Sequence, residues 1–174
     1  MAPDFTFYTP DGGPDTLYET LQRHRHTVVW FSRYYGCPVC QLDLHGLETC
    51  YPELERRDTG VLAVLQSAPE ALRAALGDKR FPFPLACDPA CGIYDAWAVA
   101  PAASMANLVG LSGIGKLWRA QRAGYRHGAY EGRETQLPAL FLLAPGGRVE
   151  YARYAKNLAD LPAAGQLPAL VDSL

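Results

Sequence analysis

Two cysteines three residues apart, in Gly36-Cys37-Pro38-Val39-Cys40, carry the clearest chemistry in this chain. A C-x-x-C pair supplies an attacking thiol and a resolving thiol that can close into a disulfide without a large rearrangement. The thiolate is the nucleophile, and it is favoured at the first turn of a helix, where unpaired N–H groups and the positive end of the macrodipole face it. Pro38 suits the first helical position, where its missing N–H is not needed. Cys40 then falls one turn along the same face, within reach of Cys37. Its other reading is a buried helix cysteine that only packs. Arg33 either steadies the thiolate through charge-assisted hydrogen bonds or projects to solvent beyond the strand end. Tyr34 and Tyr35 offer hydroxyls to the site or shield it as packed rings.

Three further cysteines, Cys50, Cys87 and Cys91, bring the total to five, an odd number that suits thiols in a reducing compartment better than a disulfide-stapled fold. Cys87 and Cys91 read in three ways: a second redox pair feeding Cys37 and Cys40, a source of one resolving thiol, or two ordinary cysteines near a strand end and a helix start. Two short-spaced pairs also match a four-cysteine zinc site, although a C-x-x-C that opens a long amphipathic helix is not the knuckle structural zinc prefers. Cys50 is expected to pack on its helix. His24, His26, His45 and His127 show no partner pattern and are assigned no role.

The elements that must position these groups follow from periodicity. Thr27-Val28-Val29-Trp30-Phe31-Ser32 reads as a buried strand, and Leu42, Leu44, Leu47, Tyr51 and Leu54 as the apolar side of a helix from Cys37 to about Arg57. A strand at 5–9 and a helix over 16–25 capped by Asp15 precede them. A buried strand at 60–66, a helix opening near Ser67, a brief strand at 83–86 and a helix from Asp88 to Trp97 come after. Leu137 to Leu143 pairs through the turn at Ala144-Pro145-Gly146-Gly147 with 149–154, and a helix over 158–174 ends the chain. Strands alternating with helices predict an α/β layered domain with a mostly parallel sheet and an antiparallel edge hairpin. Residues 101–135 read as a helical insertion in this single domain, with Met105, Leu108, Val109, Leu111, Ile114, Leu117 and Trp118 on one apolar face and Lys116, Arg119 and Arg122 on a basic back. That insertion is either a helix laid over the core or a lid above the thiols.

At this point three segments matter together: Phe31-Ser32-Arg33-Tyr34-Tyr35-Gly36-Cys37-Pro38-Val39-Cys40, Phe83-Pro84-Leu85-Ala86-Cys87-Asp88-Pro89 and Gln136-Leu137-Pro138-Ala139-Leu140-Phe141. They resemble the peroxiredoxin-like family of the alkyl hydroperoxide reductase and thiol-specific antioxidant group, over nearly the whole chain. The resemblance implies a thioredoxin-like three-layer α/β/α fold. It also implies a thiol oxidoreductase that reduces peroxides or disulfides with electrons from a thioredoxin- or glutathione-like donor, with no metal or organic cofactor, and a tendency to form homodimers. It departs where Trp30 and Tyr34 stand in place of the proline and threonine of the family's Pro-x-x-x-Thr-x-x-Cys, and where Pro138 stands in place of an arginine. By resemblance to thioredoxins, Pro138 would be a cis-proline facing the disulfide. A proline opening a buried strand otherwise loses a ladder hydrogen bond.

Composition excludes other classes. The chain has 174 residues, 49% hydrophobic and 20% charged, with a net charge of −2, which argues against a nucleic-acid partner. No run approaches the ~20 apolar residues of a membrane span, and no membrane partner is expected. Met1-Ala2-Pro3-Asp4 has neither the basic nor the apolar part of a signal peptide, so a cytoplasmic location is expected.

Overall fold

The structure, a computed structural model, describes residues 1–174. Its centre is a seven-stranded sheet built from β1 (Thr6–Thr9), β2 (Gly12–Thr16), β3 (His26–Phe31), β4 (Thr59–Leu65), β5 (Leu85–Cys87), β6 (Ala139–Leu143) and β7 (Val149–Tyr154), in the order β2-β1-β5-β4-β3-β6-β7. The three central strands β5, β4 and β3 run parallel, and the pairings outside them are antiparallel. This is the thioredoxin-like α/β architecture expected, with one addition. The other edge also carries an antiparallel ribbon, β1 turning back into β2 through Pro10 and Asp11.

Central strands have both faces buried, and their alternating side chains serve two cores. Val28 and Trp30 of β3 join Leu44, Leu47 and Leu54 of α2 (Pro38–Glu55) on one face. Leu72 of α3 (Pro69–Leu76) and Leu167 of the C-terminal helix lie on that side too. Val29 and Phe31 join Leu17 and Leu21 of α1 (Leu17–Leu21) and Tyr94 and Trp97, which belong to or follow α4 (Gly92–Ala96), on the other face. Two helical layers thus sandwich the sheet.

Several helices differ from expectation for local reasons. Thr16, not Asp15, caps α1: its hydroxyl accepts the Glu19 N–H, and the helix stops at Leu21. The last helix shrinks to α6 (Leu167–Asp172) after a short 3-10 turn at Ala164–Gln166, since Pro162 and Pro168 cannot continue a helix begun at 158. α4 starts only at Gly92, where the Asp88 carboxylate accepts the N–H groups of Gly92, Ile93 and Tyr94 at 3.0, 2.7 and 3.3 Å.

The segment read as an insertion forms α5 (Met105–Arg122), broken at Gly110, whose φ of 56° and ψ of 174° are not helical. Its orientation matches the expected one at Leu108, Val109 and Leu117, which pack inward, and at Arg119 and Arg122, which are exposed, and departs from it elsewhere. Lys116 is buried, donating to Asp43 at 2.8 Å and to the Leu158 carbonyl at 3.0 Å. Leu111, Ile114 and Trp118 face outward. The long apolar stem of Lys116 packs inside while Asp43 neutralises its head, and this rotates the second part of a helix whose two sides are both apolar.

Candidate active site

The site forms at the carboxyl ends of the parallel strands, where open α/β sheets place their chemistry. Beyond Phe31 the chain stays paired to β4: the Ser32 N–H donates to Val64 at 2.9 Å and the Gln66 N–H to the Arg33 carbonyl at 2.7 Å. The buried Tyr94 hydroxyl reaches the carbonyls of Ser32 and Val64, fixing the exit of both strands. A tight turn follows, with the Cys37 N–H donating to the Tyr34 carbonyl at 3.2 Å. Cys37 is then the N-cap of α2, extended at φ −80° and ψ 122°, with Pro38 as the first helical residue.

Cys37 and Cys40 are free thiols, 2% and 3% exposed, in one apolar cluster with Tyr34, Val39, Leu108 and Leu158. Arg33 is turned inward. It is 4% exposed, and its Nη1–H donates to the Cys37 sulfur at 3.3 Å while Nη2–H donates to the Glu134 carbonyl. The hydrogen bond from the Cys40 thiol, opposed by burial and reinforced by the Arg33 charge and the N–H groups of Cys40 and Val39, lowers Cys37 from 9.0 to about 6. Burial pushes Cys40 the opposite way, well above the ordinary thiol, with the neighbouring Cys37 sulfur adding to it. One environment therefore favours a thiolate at Cys37 and a protonated thiol at Cys40.

Arg33 also stacks on Tyr34, 5.0 Å from the ring centre. The Tyr34 hydroxyl does not serve the sulfur as donor. It lies 3.0 Å from His127 Nε2, and because His127 Nδ1 faces the Gly128 carbonyl at 2.7 Å, Nε2 is the acceptor. Burial raises Tyr34 to about 12, with Arg33 opposing. His127, assigned no role above, thus ties the segment 125–131 to Tyr34, beside the ring of Tyr130. Two more ties fasten that segment: the Gly128 N–H on the Gly36 carbonyl at 2.8 Å, and the Ser67 hydroxyl on Glu131 at 2.7 Å. A Cβ at Gly36 would sit 2.4 Å from the Ala129 carbonyl, so only glycine permits this closeness. Beside it a cleft of about 340 Å³ opens between Tyr35, Gln41, Ala71, Ala75 and Ala129. The largest cavity, about 630 Å³ beside Arg25, Arg57 and Arg148, lies at the opposite end of the sheet.

Pro138 is where expectation and structure part. The Leu137–Pro138 bond is trans, the cis peptide of the chain being Gly13–Pro14. Trans is the favoured form of an X-Pro bond, and here the Pro138 carbonyl accepts from the Ala155 N–H at 3.1 Å. The preceding Leu137, not a cis-proline, packs against the thiol cluster.

Cys87 and Cys91 do not form a second pair. Cys87 belongs to the core on the α2 side of the sheet and Cys91 to the core on the α4 side. Burial raises Cys87 to about 12 and also raises Cys91, whose thiol donates to Gln66 Oε1 at 3.1 Å. The four cysteines do not converge either: no group of three or more His, Cys, Asp or Glu stands where it could hold a metal. Cys50 packs on α2, as expected.

A thioredoxin-like sheet with a low-pKa thiol at a helix start defines a class, the thiol-dependent oxidoreductases. Within it the AhpC/TSA family model matches residues 1–152, and the chain belongs to that family of thiol peroxidases. No curated protein matches at the level of sequence. Among solved structures, peroxidoxin BcpB from Mycobacterium tuberculosis is similar with a TM-score of 0.65 at 12% identity, covering 99% of this chain and 94% of that one. The bacterioferritin comigratory protein of Xanthomonas campestris gives 0.64 at 18%, covering 99% and 92%. A yeast mitochondrial 1-Cys peroxiredoxin gives 0.69 at 13%, covering 98% and 72%.

Proposed function

We propose that this enzyme reduces peroxides through a Cys37/Cys40 dithiol–disulfide cycle. The Cys37 thiolate attacks the terminal peroxide oxygen; an S–O bond forms, the O–O bond breaks, and the departing oxygen takes a proton to leave as water or an alcohol. Cys37 is now a sulfenic acid. Cys40 gives up its proton, its sulfur attacks Cys37, the S–S bond forms and the oxygen leaves as water. Two electrons from a dithiol or two monothiols restore the pair by exchange. The observation that carries this reading is the Arg33 guanidinium 3.3 Å from the Cys37 sulfur, with Cys40 in the same cluster. It holds the thiolate and also suits the negative charge that grows on the departing oxygen. A thioredoxin- or glutathione-like donor fits both the family and the yeast relative, whose structure is described in terms of glutathione/thioredoxin systems.

One observation favours a second reading, disulfide exchange without peroxidase activity. The hydroxyl that replaces the family's threonine is committed to His127 rather than to the sulfur. The test is intact mass with thiol trapping on reduced protein before and after one equivalent of hydrogen peroxide, repeated for Cys37→Ser and Cys40→Ser. A fast Cys37–Cys40 disulfide, with a trappable sulfenic acid on Cys37 in the Cys40→Ser protein, supports the peroxidase. Silence toward peroxide together with a disulfide formed from an oxidised dithiol moves the assignment to exchange.

A further inference from the structure

The outward turn of Leu111, Ile114 and Trp118 on α5 leaves a surface that nothing in the thiol chemistry uses. After the break at Gly110, Leu111, Ile114 and Trp118 lie three and four residues apart and share one face. They are 91%, 57% and 59% exposed, while Gly113, Lys116 and Ala120 opposite them are buried. Such a stripe normally marks a contact surface.

The charge around it is of one sign. No Asp or Glu stands between Asp95 and Glu131, whereas Lys116, Arg119, Arg122 and Arg126 do, in a chain whose net charge is −2. Arg119, Arg122 and Arg126 are exposed. The Arg122 guanidinium lies 4.8 Å from the Trp118 ring centre. The carboxylate of Asp43, which faces the helix, is already taken by Lys116.

A stable protein pair buries about 800 Å² per partner. Three side chains on one helix, rimmed by unpaired arginines, fall well short of that, and a second copy would bring the same positive rim to the contact. A tryptophan and two aliphatic side chains between arginines match instead what an interfacial helix presents to lipid: rings and aliphatic groups at the acyl boundary, guanidinium groups among anionic headgroups. We propose that the outward face of α5 docks the protein on anionic lipid surfaces. No spanning segment is needed for this, and no helix here is long and apolar enough to be one. The expectation of no membrane partner rested on span length, which does not bear on peripheral docking. The inner side of the same helix places Leu108 against Cys37 and Cys40, so docking would bring the thiols close to the bilayer surface.

The proposal stands apart from turnover and is tested without it. Reduced protein is mixed with vesicles of phosphatidylcholine alone or with phosphatidylserine, and flotation and tryptophan emission are followed. Trp30 and Trp97 are buried, so a blue shift on binding reports Trp118. The expected result is binding to the mixed vesicles, weakened by salt, and reduced on the order of tenfold or more by Ile114→Asp and by Arg119→Glu with Arg122→Glu. Hydrogen peroxide reduction by these variants should stay within about twofold of the parent, since none touches the thiols. Absence of binding, equal binding to phosphatidylcholine alone, or a dimer in light scattering that Ile114→Asp dissolves would each overturn the proposal, the last by giving the face to a second copy.

Discussion

Cys37 with Cys40 and Cys87 with Cys91 are alike in composition: two buried thiols, a short spacing, a proline between them and a helix just beyond. Their surroundings set them apart. Cys37 meets a guanidinium, a neighbouring thiol and two N–H groups, and falls to about 6. Cys87 meets an apolar core with Glu70 and Glu131 nearby, and rises to about 12. Cys91 adopts the left-handed conformation at φ 59° and its thiol donates a hydrogen bond to Gln66 Oε1. Spacing brings one pair into a single cluster, whereas one added residue at a strand exit sends the other pair to opposite faces of a sheet. Thiol reactivity is thus a property of the N–H groups and charges aimed at sulfur rather than of how closely cysteines follow each other.

The sharpest way to break this contrast is substitution. Cys37→Ser should lower peroxide consumption with a thiol donor by roughly 10³-fold or more, as loss of a nucleophile does, while Cys87→Ser and Cys91→Ser should stay within about twofold. Arg33→Met should cost roughly 10²-fold near neutral pH, because it removes both the countercharge of the thiolate and a donor for the departing oxygen. A pH series separates those two contributions. Since the Cys37 value is lowered, the thiolate is lost as pH falls through about 6. Thiolate-dependent alkylation should therefore rise through that pH and level off above it, with the midpoint displaced upward in Arg33→Met. The smallest effect concerns stability: Cys91→Ala should cost about 1 kcal/mol in denaturant unfolding, from a lost buried hydrogen bond and a small void, with no change in rate.

The placement of Cys37 at a helix start was readable in the sequence because its determinants are local: a β-branched strand, a C-x-x-C, a proline at the first helical position. What surrounds it was not. Arg33 faces inward because a carbonyl 101 residues later receives its other nitrogen, and His127 reaches Tyr34 across 93 residues; neither partner is visible in a local window. The face of α5 was misjudged for a related reason. A lysine was assigned to solvent by type, whereas Asp43, on another helix, decided otherwise. Pro138 was read as cis from resemblance, and the strand it opens accommodates the trans form.

The covering of Cys37 bears on how this enzyme would survive its own substrate. A sulfenic acid is overoxidised when a second peroxide reaches it before a thiol does. With the Cys37 sulfur 2% exposed and Cys40 in the same buried cluster, a thiol would stand closer to such a sulfenic acid than any peroxide in solution. Burial of this kind trades speed for durability, and a substitution that opens the cluster, Leu108→Ala, should hasten inactivation under excess peroxide, read as sulfinic acid by mass.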